Sequence, residues 1–184
     1  QEWSKSKRTL SLINNQDFLP EALAIIDRAY KIIEDKRIRE VQFFSILLIL
    51  LSPKNKGVFA QIKTGEGKST IVSVIAVIKA LQNKYVDILS SSIVLAHRDK
   101  NEKKRFYECF NLTVGSSDED EDEEKEDEEE GYNNVVQSLY EKNIVYGDTL
   151  MFEGDILKQE FSKNPNSKRA KNLNRGYRCI IIDE

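Results

Sequence analysis

Soft metal ligands are scarce in this chain. It holds one histidine, His97, and two cysteines, Cys109 and Cys179, in no metal-ligand spacing, which argues against a zinc site. Two isolated cysteines make no disulfide framework either, and they read as free thiols in a reducing compartment. Long apolar runs are missing too. The longest, Phe43 to Leu51, is broken by Ser45. A bilayer-spanning helix needs about 20 residues, so the run reads as a buried core helix. No secretory signal is visible in the residues given.

The 184 residues suffice for one globular domain with a sizeable core. The chain opens on Gln1, carries its single methionine at Met151 and stops at Glu184 directly after an apolar run. Both ends read as cuts in a longer protein. The net charge of -3 averages over two kinds of sequence. Asp118 to Glu130 hold 12 acidic residues and one lysine, and the remainder carries 27 basic and 19 acidic residues, a net of about +8. Such a remainder can attract nucleotides, anionic lipid or nucleic acid, or it can be an ordinary Lys-rich solvated surface. The acidic run repels itself and has nothing to bury, which predicts a disordered insertion over 116–131.

Periodicity supplies the order of elements. Residues 1 to 16 are polar and aperiodic. Pro20 can open a helix, and Leu23, Ile26, Ala29, Tyr30 and Ile33 fall on one helical face. A second helix is predicted from Arg37 to Leu51, ended by the turn cluster Ser52 to Gly57. Then strands and helices alternate. Strands are predicted at Val58–Ile62, Val86–Ser90, Leu112–Val114, Ile144–Tyr146 and Cys179–Ile182. Helices are predicted at Lys68–Gln82, Val94–Phe110, Asn134–Glu141 and Thr149–Phe161. That alternation predicts an α/β fold with a mostly parallel sheet covered on both faces. The nearly all-apolar last strand would lie deep in it. Ser162 to Gly176 read as a polar connection.

The chemistry concentrates at Ile62-Lys63-Thr64-Gly65-Glu66-Gly67-Lys68-Ser69. The segment follows an apolar stretch and opens a helical pattern, as a phosphate-binding loop must. Glycines let backbone N–H groups turn toward phosphate oxygens, and the helix presents its positive end to the same anion. Lys68 can reach the β- and γ-phosphates and the Ser69 hydroxyl can ligate Mg²⁺. The general pattern G-x-x-x-x-G-K-[ST] asks for glycine where Ile62 stands. A second element, Ile180-Ile181-Ile182-Asp183-Glu184, has the form of a Walker B strand. In that reading Asp183 holds the Mg²⁺ shell and Glu184 polarises the attacking water as a general base.

With these elements in order, the chain resembles the first nucleotide-binding lobe of the SecA family, motor ATPases that drive preproteins through the Sec channel. The family's loop is similar, Lys-Thr-Gly-Glu-Gly-Lys followed by Thr, and also lacks the first glycine. Arg37 to Gln42 resembles its Arg-x-x-Asp-Val-Gln, with Glu40 in place of Asp. Leu95 to Asp99 resembles Leu-Ala-x-Arg-Asp, Asn111 to Gly115 resembles Gly-Leu-Thr-Val-Gly, Ile144 to Gly147 resembles Ile-x-Tyr-Gly, and Asp155 to Lys158 stands where the family has Asp-Tyr-Leu-Arg. The resemblance implies a RecA-like, DEAD-like lobe over residues 20–184 behind a polar tail at 1–19. It implies ATP and Mg²⁺ as cofactors, bound at Lys63, Thr64, Gly65, Glu66, Gly67, Lys68, Ser69 and Asp183, with Lys68 and Glu184 catalytic. Gln42 would read the adenine, since a planar amide offers it both a donor and an acceptor; it can also be a plain helix-surface residue. Unfolded polypeptide or preprotein, a membrane or translocation channel and a second RecA-like lobe beyond residue 184 are the implied partners, and the location is cytoplasmic or peripheral to a membrane.

The chain departs from the family after Tyr146-Gly147, where Asp148 to Gly154 lacks Asn-Asn-Glu-Tyr-Gly, and in its acidic run. A nucleic-acid helicase lobe, or a non-motor ATP-binding interaction protein, are the alternative functions. His97 occupies a position that varies in the family pattern and reads as helix surface. Arg98 and Asp99 read either as an intrahelical pair or as part of a coupling surface.

Overall fold

A computed structural model describes Asp17 and residues 19–53, 56–82, 84–116, 139–161 and 179–183. The predicted tail at 1–16, the acidic run, the connection Ser162 to Gly176 and most of the helix predicted at Asn134–Glu141 lie outside the described residues. The chain divides into two compact units, Gln1–Asn83 with Arg105–Asn111, and Lys84–Lys104 with Leu112–Glu184.

The first unit is helical. Helix α1 (Leu19–Glu34) buries Leu19, Ala22, Leu23, Ile26, Ala29 and Tyr30, one face of a 3.6-residue period. It ends at Asp35 in the left-handed region, φ 54. Lys31 Nζ closes that end by donating to the Asp35 carboxylate at 2.7 Å and to its carbonyl at 3.1 Å. One further carboxylate fixes the path onward. Asp27 is buried, and its two oxygens accept from Arg37 Nη1 at 3.0 Å and from the Ile38 amide at 2.9 Å. These two hydrogen bonds offset the cost of burying a polar side chain.

Helix α2 (Glu40–Leu50) corrects the expectation of a wholly buried helix. Its composition is apolar almost all round, yet only Gln42 and Ile46 are buried. Phe44 is 64% exposed and Leu48 58%, aligned with Val41 and Leu51 on one face. Helix α3 (Lys68–Leu81) covers the other face, and among the described residues nothing covers this one. The strand predicted at Val58–Ile62 is also corrected. These residues carry no regular secondary structure, and Phe59 is 93% exposed. A strand needs a neighbour to take up its backbone groups, and none pairs with this segment among the described residues. Helix α3 itself buries Ile71 and most of the positions from Ser73 to Leu81, as a helix apolar on most sides should. Near α1, Tyr30 meets Phe106 edge-on at 5.3 Å, and Phe106 meets Phe110 the same way at 5.5 Å.

The second unit is α/β. Its elements are β1 (Val86–Ser90), α4 (Ile93–Glu108, whose last turn belongs to the first unit), β2 (Val114–Ser116), β3 (Ile144–Asp148), α5 (Thr149–Glu160) and β4 (Cys179–Ile182). The four strands lie in the order β2-β3-β1-β4 and every pairing is parallel. Thr113 and Asn143 set the β2–β3 register. The Thr113 amide donates to Asn143 Oδ1 at 2.9 Å, and the Asn143 amide donates to Thr113 Oγ1 at 3.0 Å. The turn from β3 into α5 is tight. A Cβ on Gly147 would run into the Met151 and Phe152 side chains, and Asp148 caps α5 by accepting from the Met151 amide at 2.9 Å. Leu139, Tyr140, Val145 and Phe152 pack together there, and the Tyr140 hydroxyl donates to the buried Asp155 at 2.8 Å.

The position of β4 corrects the last topological expectation. The strand lies at the sheet edge, with Ile180 52% and Ile182 78% exposed. Its partner is β1 alone among the described residues. The Asp183 amide donates to the Leu89 carbonyl at 2.8 Å, so the amides of Ile181 and Asp183 face β1 and those of Ile180 and Ile182 face away.

Candidate nucleotide-binding site

The predicted phosphate loop belongs wholly to the first unit. Lys63, Thr64 and Gly65 are exposed, and Glu66, Gly67, Lys68 and Ser69 are half-buried. The Glu66 amide donates to the Lys63 carbonyl at 3.2 Å, closing a turn with Gly65 at its third position at φ 82. A type II turn asks for that positive φ, which glycine adopts without steric cost. Gly67, the N-cap of α3, has φ 79, and as a glycine it supplies no capping side chain. Thr70 and Ile71 amides donate back to the Gly67 carbonyl at 3.1 and 3.3 Å. Two left-handed glycines on either side of Glu66, running into a helix N-terminus, make a concave backbone suited to an anion.

Side chains hold this loop. Gln42 is buried in the first turn of α2. Its Oε1 accepts from the Arg39 amide at 2.9 Å, and its Nε2 donates to the Glu66 carbonyl at 2.9 Å. Arg39 Nη2 pairs with the Glu66 carboxylate at 3.3 Å. One turn into α3, Thr70 shares a 2.9 Å hydrogen bond with the Tyr30 hydroxyl of α1. Arg39, Tyr30 and Asp27 are the site-supporting residues that sequence reasoning misses. Arg39 does stand three residues before Gln42, a helix-capping interval, but the pairing of either residue with Glu66 is a tertiary contact.

Asp183 lies in the second unit at the carboxyl end of β4, half-buried. Glu184 lies outside the described residues. The loop and Asp183 thus fall in separate units. Ser69 and Asp183 offer hard oxygen donors of the kind Mg²⁺ takes. Among the described residues no three His, Cys, Asp or Glu side chains cluster as a metal-holding group.

The matching motif on α4 is resolved as well. Arg98 donates to Asp99 from Nε at 2.9 Å and from Nη2 at 2.7 Å, a neighbouring ion pair. The hydrogen bond to Asp99, then the charge of that carboxylate, raises the Arg98 pKa above its ordinary value. His97 is half-buried, with Nδ1 at 3.3 Å from Ser116 Oγ.

Comparison with known proteins gives the family. The SecA DEAD-like domain family matches residues 2–184. The chain belongs to the SecA DEAD-like domain family. It is 30% identical to the protein translocase subunit SecA of Helicobacter pylori (strain G27) over 168 residues, 91% of this chain and 17% of that protein. It is 31% identical to protein translocase subunit SecA 2 of Bacillus thuringiensis subsp. konkukian (strain 97-27) over 169 residues, 92% of this chain and 19% of that one. It is 32% identical to SecA of Wigglesworthia glossinidia brevipalpis over 162 residues, 87% of this chain and 17% of that one. The chain therefore spans less than a fifth of the length of these curated relatives. Among the described residues of this SecA DEAD-like chain, no helix is long and apolar enough to cross a membrane.

Proposed function

We propose that this chain is the ATP-binding lobe of a SecA-like motor ATPase, coupling ATP hydrolysis to protein targeting or translocation across or into a membrane. The observation that carries the reading is the backbone at Gly65 to Lys68. Two left-handed glycines, the second of them the N-cap, feed a helix start, in a chain of the SecA DEAD-like family. That backbone would hold the α- and β-phosphates, Lys68 would neutralise the β- and γ-phosphates, and the Ser69 hydroxyl and Asp183 would serve as Mg²⁺ ligands, partly through water. Lys63 and Thr64 flank the phosphates on the turn. Glu184 serves as the general base. The substrate is unfolded polypeptide or preprotein, and a second RecA-like lobe completes the catalytic cleft.

Ligand-dependent melting tests the site. ATP with Mg²⁺ at about a hundredfold over Kd stabilises a single-site binder by roughly 2.7 kcal/mol, and Lys68→Ala removes that gain. A shift of equal size in the variant overturns the assignment. Hydrolysis is the second test. The purified chain should bind ATP with near-zero phosphate release, because the arginine supplied by a partner lobe contributes on the order of 10³ to 10⁵ in rate in related phosphoryl transfer. Turnover per site equal to that of a full-length relative would show that one lobe suffices.

A further inference from the structure

We draw no further inference here: the strongest candidate, the exposed apolar face of helix α2 formed by Val41, Phe44, Leu48 and Leu51, carries nothing because nothing in the structure shows what covers it.

Discussion

The loop at Gly65 to Ser69 and the strand end at Asp183 carry the two proposed nucleotide motifs, one in each unit, and they are held in unlike ways. Glu66 is gripped through its carbonyl by Gln42 and through its carboxylate by Arg39, and Thr70 is tied to Tyr30. Behind them Asp27 pins the chain at Arg37 and Ile38, just ahead of Arg39. Asp183 follows a strand that pairs on one side only among the described residues, with apolar side chains in solvent. The difference is one of chemistry. A loop has no ladder of its own, so its backbone groups must be answered by side chains. A strand answers its backbone groups through neighbours, and its precision depends on how many it has.

Substituting glycines of the two units breaks the comparison hardest. Gly67→Ala faces two penalties, a φ of 79 and a Cβ driven against Gln42 Nε2. Together they should cost about 2–4 kcal/mol in urea titration and abolish nucleotide binding. Gly147→Ala should cost about 1–3 kcal/mol by crowding Met151 and Phe152 while leaving binding at the loop in place. Gly65→Ala has open space, so only its φ of 82 counts, about 1–2 kcal/mol. Equal losses at Gly65 and Gly67 would show that the Gln42 contact adds nothing.

Proline substitutions sharpen the other side. The Ile181 amide faces β1, so Ile181→Pro removes a ladder bond and should cost on the order of 3 kcal/mol. The Ile182 amide faces away, and Ile182→Pro should cost well under half of that. Similar losses from both would mean that β4 is paired on two sides in solution. Next in size is Tyr30→Phe, which deletes the 2.9 Å contact with Thr70 and should cost about 1 kcal/mol in the same titration. No change would place that hydroxyl outside the support of the loop.

The same contrast explains what was legible in the sequence. The alternating pattern from Lys68 onward yields α3, β1, α4, β3, α5 and β4 within a few residues, because each is set by local period and by turn residues. The strand at Leu112–Val114 is displaced to Val114–Ser116, where partnering with β3 decides its extent. The loop glycines are legible because positive φ is a local demand. Burial was not. Phe43 to Leu51 and Cys179 to Ile182 look alike as apolar runs, and each is covered on only part of its surface. Coverage depends on neighbours distant in the chain, and apolarity reports only that a neighbour is wanted. The grip of Gln42 on Glu66 was hidden for the same reason.

The smallest expected effect lies at the end of α1, where backbone and charge can be separated at one residue. Asp35 is fully exposed, has φ 54, and pairs with Lys31 at 2.7 Å. The hydrogen bond from Lys31, then its charge, lowers the Asp35 pKa below its ordinary 3.8. A folded-state pKa below the unfolded one stabilises the fold above about 3.8, and the stabilisation is lost as pH falls through the lower folded value. Asp35→Asn removes the charge and keeps a residue that tolerates the left-handed region. It should melt slightly below the unaltered chain at pH 7, and the gap should close below pH 3.8. Asp35→Gly removes the same charge but relieves the backbone. It should gain on the unaltered chain as the pH falls and melt above it at the acid end. Exposed pairs of this kind contribute little, so differential scanning with matched buffers and low salt is needed. A gap between Asp35→Asn and the unaltered chain that stays constant from pH 7 to below 3.8 would show that the Lys31 pair adds nothing to stability. The end of α1 would then be held by its backbone alone, and Asp27 would be left as the carboxylate that fixes the approach to Arg39 and the phosphate loop.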